Sequence, residues 1–171
     1  MEPILDKARA GRNALERLAS AIPGFHGYRE RELRRDADRL QREHLASRLE
    51  ANKRALDEIA DQSTRGGSLD AINDVETARK RLDRVAARLR YAERGYSGFF
   101  DAVKVDEAAL ARVYELDLSL LDAVESVRAA AQSARAAAPA AVRPALQALI
   151  AEVDRLDERL GERESILRGM K

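Results

Sequence analysis

Through most of the chain, apolar residues recur three and four positions apart, the period of one face of an α-helix. Over residues 3–20, Ile4, Leu5, Ala8, Leu15, Leu18 and Ala19 form such a face behind Pro3, which a first helical turn tolerates. Ile22-Pro23-Gly24 ends this helix, because proline disfavours helix in the residue before it and glycine relaxes the backbone into a turn. A second helix is expected over residues 28–65, with Leu45, Leu49, Asn52, Leu56 and Ile59 in heptad register. Leu33, Ala37 and Leu40 run one position out of phase with that stripe, which predicts a change of partner or twist near Gln41 to His44. Asn52 is a buried polar candidate, a residue that fixes register from inside a stripe.

Gly66-Gly67 breaks the pattern and Ser68 offers an N-cap. Leu69, Ile72, Val75, Leu82, Val85, Ala86 and Leu89 then line a third helix to about residue 93. So short a connection makes residues 28–93 a long antiparallel hairpin, in which facing residue numbers sum to about 133. A second hairpin is expected over residues 106–168. Asp106 caps its first helix, which carries Leu110, Val113, Tyr114, Leu116, Leu120, Leu121, Val124 and Val127. An alanine-rich end, Pro139 and Pro144 lead to the last stripe of Leu146, Leu149, Val153, Leu156, Leu160 and Leu167. The pattern describes one all-α domain over residues 1–171, an antiparallel bundle of four long helices with coiled-coil-like packing and a short N-terminal helix.

Residues 94–105 stop reading as helix without becoming polar. The hairpin register ends the third helix short of the second helix's start, so this loop has an overhang to cover. Phe25, Tyr28, Tyr96, Phe99 and Phe100 are therefore expected to meet at one end, and with Tyr91 they are the candidate aromatics either to close the core or to anchor a partner. Asp117 is a second buried polar candidate, since Val113, Tyr114, Leu120 and Leu121 surround it at helical spacing. A buried carboxylate needs a partner, and an Arg or Tyr from another helix is expected, with the Arg79 to Arg94 run one source.

The segments Ile22-Pro23-Gly24-Phe25-His26-Gly27-Tyr28, Glu32-Leu33-Arg34-Arg35-Asp36-Ala37-Asp38 and Gly95-Tyr96-Ser97-Gly98-Phe99-Phe100-Asp101-Ala102 resemble those of uncharacterised bacterial all-helical proteins of similar length. The resemblance spans roughly Ile22 to Val127. It implies a helical fold in which the two aromatic loops are one feature, and it implies no activity.

Composition narrows the picture. With 4% aromatic residues and no Trp, most of the core must be narrow aliphatic stripes between helices. The absence of Cys excludes disulfides and thiolate metal sites. His26 and His44 lack the Glu-x-x-His spacing of helical di-metal sites, so no metal or cofactor is expected. No nucleophile elbow or phosphate-cradling loop is present, and no enzyme activity is expected. There is no leader-like start and no apolar run of about 18 residues, so the chain reads as cytoplasmic; arginine in excess of lysine and abundant alanine suggest a bacterial source.

Net charge is +1, but Arg79 to Arg94 is strongly basic and Asp106 to Glu125 strongly acidic, and these two helices are expected to neutralise each other. Arg81, Arg84 and Arg88 share one helical face. The sequence supports a non-catalytic interaction or scaffolding protein with a protein partner; homo-oligomers are compatible with it. The alternative is a binder of anionic membrane surfaces or ligands through the basic face and the aromatic loop. Nucleic acid is not expected, because no aromatic residue is interleaved with the arginines to stack on bases.

Overall fold

The computed structural model describes residues 2–92 and 97–169, and their side chains apart from those of residues 2–4 and Ser97. The described residues form α1 (Glu2–Ala21), α2 (Arg34–Glu50), α3 (Lys53–Arg65), α4 (Leu69–Tyr91), α5 (Ser97–Asp101), α6 (Glu107–Ala136) and α7 (Val142–Gly169). Short 3-10 turns, Arg31–Leu33 and Pro139–Ala141, lead into α2 and α7. None of the described helices is long and apolar enough to cross a membrane.

Expected caps form where the sequence places them. The Ala71 backbone N–H donates to Ser68 Oγ at 3.4 Å, and the Ala109 N–H donates to Asp106 Oδ1 at 2.7 Å. Gly67 adopts φ +69°, which lets the Ser68 N–H bond back to the Ser63 carbonyl at 2.9 Å and turns the chain within two residues. The long helix expected over residues 28–65 is instead two, α2 and α3, broken at Ala51-Asn52 rather than near Gln41 to His44. Asn52 is buried, but its side chain does not reach across a seam. It donates to the Arg48 and Leu49 carbonyls, both at 3.2 Å, and so satisfies backbone groups at the break.

Consecutive long helices run antiparallel, and the two hairpins lie side by side. α2 and α3 pack on α4 and on α6, while α7 packs on α6 and on α4. Across the hairpins the neighbours are parallel, as the nearly constant number offset of Arg48 to Glu125 and Arg135 to Glu58 shows for α2–α3 with α6. Arg84 to Asp157 and Arg88 to Asp157 and Glu164 show the same for α4 with α7. α4 and α6 therefore stand at opposite corners of the square, and their connection must cross the end of the bundle. α5 lies on that path and packs against α7. α1 lies outside the square against α6.

The hairpin register makes one outcome specific. Lys53 bonds Asp83 at 2.7 Å, one helical turn from Lys80, so a short amine-reactive crosslinker should join Lys53 to Lys80 within a single chain. Links found only between chains, read by peptide mass spectrometry of a mixed isotopically labelled sample, would mean that the hairpin exchanges between copies.

Candidate functional site at the aromatic end of the bundle

The site begins with positions that sequence periodicity assigns to the core but that carry charge. Counting back from Leu45 along the α2 stripe lands on Gln41, Asp38 and Arg34, and all three are buried. The apolar residues read as that stripe are displaced from it. Leu33 is exposed, and Ala37 and Leu40 are only partly buried. On α7 the stripe that begins with Leu146, Leu149, Val153 and Leu156 passes from Leu160 through Arg163 to Leu167, and Arg163 is 1% exposed. On α6 the stripe contains Asp117, at 0%.

These charges meet in one layer. The Arg163 guanidinium donates from Nε to Asp117 Oδ1 at 2.5 Å and from Nη2 to Asp38 Oδ1 at 2.8 Å. The Tyr28 hydroxyl donates to Asp117 Oδ2 and accepts from Arg163 Nη2 at 3.3 Å. Arg42 donates to Asp38 Oδ2 at 2.8 Å and from Nη1 to the Leu89 carbonyl at 2.7 Å, so it also satisfies the last turn of α4. Two cations and two carboxylates balance, and each of the four long helical segments around the layer is tied to it. Burial opposes the charge on Arg163, but Asp117 and Asp38 outweigh it and hold the guanidinium firmly protonated. Burial, then the Asp117 charge, keeps the Tyr28 phenol protonated well beyond the usual tyrosine range. Burial also pushes the Asp117 carboxyl up, against the pull of Arg163.

An aromatic plug sits on this layer. Tyr28 packs edge-on against Phe25 at 5.4 Å and Phe99 at 5.5 Å and stacks on Tyr114 at 5.7 Å; Phe99 meets Phe100 at 5.2 Å. All five rings are buried. Gly27, at φ +92°, lets the loop turn under Tyr114, whose hydroxyl accepts the Tyr28 N–H at 2.9 Å; a Cβ at Gly27 would lie 2.5 Å from that hydroxyl. Arg34 locks the crossing segment in place. It donates to the Tyr28 and Ala102 carbonyls, both at 2.7 Å, and its guanidinium stands 5.7 Å from the Phe99 ring centre.

The structure thus brings Phe25, Tyr28, Phe99 and Phe100 together and adds Tyr114. Tyr96 lies outside the described residues. Tyr91 does not join the cluster and is 80% exposed, because it stands two residues beyond Leu89, which puts it on the far side of α4 from the core stripe. The partner of Asp117 is an arginine and a tyrosine, but the arginine is on α7 and not in the Arg79 to Arg94 run.

The basic face is also corrected. Arg81, Arg84 and Arg88 do not pair with the acidic residues of α6, which occupies the opposite corner. They pair with α7: Arg81 with Asp154, Arg84 with Asp157 at 2.9 Å, and Arg88 with Asp157 at 2.9 Å and Glu164 at 2.8 Å. The α6 carboxylates find cations elsewhere, Glu107 with Arg29 at 2.5 Å, Asp122 with Arg17 at 3.3 Å and Glu125 with Arg48.

The layer predicts a pH signature. Arg163→Met strands Asp117 in the core and should cost about 3 to 5 kcal/mol near neutral pH. Without the guanidinium the Asp117 carboxyl, already raised by burial, binds its proton in the folded chain at a pH where the unfolded chain, at about 3.9, has released it. Stability of the variant should therefore fall as pH rises from about 4 and recover in acid, so that denaturant midpoints converge with wild type as pH falls. Adding Asp117→Leu should remove most of the pH-dependent gap. For the plug, Phe99→Ala should cost about 3 to 5 kcal/mol, read as a lowered melting temperature. Compared with known protein families, curated proteins and solved structures, the chain matches none.

Proposed function

We propose that the protein is a non-catalytic interaction or scaffolding module of a bacterial cytoplasm that docks a protein partner with the aromatic end of its bundle. The observation that carries this reading is the pairing of a rigid base with an apolar rim. Leu33 is 51% exposed, Tyr91 80% and Val103 82%, and they come from three separate elements at that end. Val103 follows Ala102, whose carbonyl is held by Arg34, the residue after Leu33. Exposed tyrosine and aliphatic side chains on a preorganised base suit an interface anchor, since little ordering entropy remains to be lost on docking.

The interior charges hold the fold, and the three arginines that would serve an anionic surface are engaged by α7. This favours a protein partner over a headgroup or a nucleic acid. Because the rim residues are exposed, Tyr91→Ser with Val103→Ser should change stability by no more than about 0.5 kcal/mol. The same double variant should lose a partner that crosslinking and capture from the native cytoplasm recover with wild type at raised salt. Undiminished recovery would reject the rim as the interface, and salt-sensitive binding to anionic vesicles by both proteins would move the function to a membrane surface.

A further inference from the structure

One turn of α2 carries polar groups that the folded chain leaves unused. Gln41 is 0% exposed, and among the described residues neither its Nε2 nor its Oε1 meets a hydrogen-bonding group; the buried Nε2 of His44 is in the same position. Gln41 and His44 are three residues apart, so their side chains are neighbours on the helix. Arg48, one turn beyond His44, pairs with Glu125, so this side of α2 looks towards α6. His44 lines the groove that α1, α2 and α6 form, with Arg17 and Ser20 of α1 and Leu121 of α6. In the other direction Gln41 stands one turn from Asp38, both of whose oxygens are engaged, one by Arg163 and one by Arg42. The ionic layer therefore closes without Gln41. Burial, then the Arg48 guanidinium, holds the His44 imidazole below the usual histidine range against the pull of Glu125. Near neutral pH the ring is uncharged, and its enclosed nitrogen needs one donor or one acceptor according to tautomer.

We propose that Gln41 and His44 form an internal water-binding site beside the ionic layer, reached from the groove past His44. The chemistry of the three atoms specifies the guest. It must accept from Gln41 Nε2, donate to Gln41 Oε1, complete the bonding of His44 Nε2 in either tautomer, and be small enough to lie inside a helical core. Water, a double donor and a double acceptor, meets all four conditions, and ordered water commonly satisfies buried polar groups in this way. An anion would satisfy the amide N–H but not the amide oxygen, and a cation the reverse. A dry site would leave a buried amide bare at both of its polar atoms, the costly arrangement that folded proteins avoid. The site accounts for a glutamine at the stripe position between Asp38 and Leu45, and it makes the corner of α1, α2 and α6 the place where solvent enters the bundle. It is separate from the rim of Leu33, Tyr91 and Val103.

Nuclear magnetic resonance on the full chain tests the site. The Gln41 side-chain amide protons should show dipolar cross-peaks to the water signal, separated from proton exchange by their sign in the rotating frame. Oxygen-17 relaxation dispersion counts the waters that stay bound for longer than the molecule takes to tumble. In Gln41→Met, which keeps the side-chain length and replaces the amide by a thioether, that count should drop. Absence of a dipolar contact between water and the Gln41 amide in the wild-type protein would overturn the proposal, whether or not the variant folds. A folded Gln41→Met protein that holds as many long-lived waters as wild type would overturn it as well.

Discussion

Everything at the aromatic end depends on keeping Arg163 paired. A guanidinium removed from water in the middle of four helices is tolerable only while Asp117 and Asp38 neutralise it and its N–H groups have acceptors. The two carboxylates come from different hairpins, α6 and α2, and the cation from α7. A rotation of any of these helices by one residue, or a slide by one turn, would separate the charges. Aliphatic stripes tolerate several registers at similar energy, whereas this layer tolerates one. Its contribution is uniqueness of arrangement more than net stability, since a well-packed apolar layer of the same volume could be as stable.

The same layer explains why an aromatic loop sits where it does. Tyr28 belongs to both structures, with its hydroxyl on Asp117 and its ring between Phe25, Phe99 and Tyr114. Its backbone N–H and carbonyl are also used, by Tyr114 and Arg34. A single loop residue thus couples the ion-paired layer to the segment that crosses from α4 towards α6. Through Arg34, which follows Leu33 and holds the carbonyl of Ala102 just before Val103, the same coupling ties the chain on both sides of the plug to its core.

The helices, their caps and the two hairpins were legible in the sequence, because caps and turns act locally and the stripes repeat. The aromatic gathering was legible through register, which put the end of α4 short of the start of α2. What was misread is physical in origin. Reading periodicity from apolar residues alone made Leu33, Ala37 and Leu40 the inner face of α2, when the true continuation of the Leu45 stripe is Gln41, Asp38 and Arg34. The signal was present, since Arg163 occupies a stripe position between Leu160 and Leu167, and Asp117 one between Tyr114 and Leu121. Four charged residues of both signs occupy core positions in three stripes, Arg34 and Asp38 on α2, Asp117 on α6 and Arg163 on α7, and opposite charges at core positions point to one another. The pairing of Arg81, Arg84 and Arg88 with α7 was not legible, because it depends on which helix occupies which corner, and charge patterns along α6 and α7 satisfy α4 about equally well.

The two ends of the bundle answer to different constraints. Near the Gly66-Gly67 and Pro139 turns, small residues dominate, with Ala71, Ala78, Ala131 and Ala134 all buried, so the helices can approach closely there. At the other end the interior holds five rings and two fully buried arginines, Arg34 and Arg163. Groups of that size need more room between helices than alanines do. Residues 22–33 and the described part of the crossing segment, residues 97–106, lie at this end and supply Phe25, Tyr28, Phe99 and Phe100. The large buried groups and the loops that carry the rings therefore share the end that holds the neutral ionic layer, in an otherwise alanine- and leucine-lined bundle. Surface ion pairs along α4 and α7, each worth about 0 to 1 kcal/mol, can bias that arrangement but are too weak to create it.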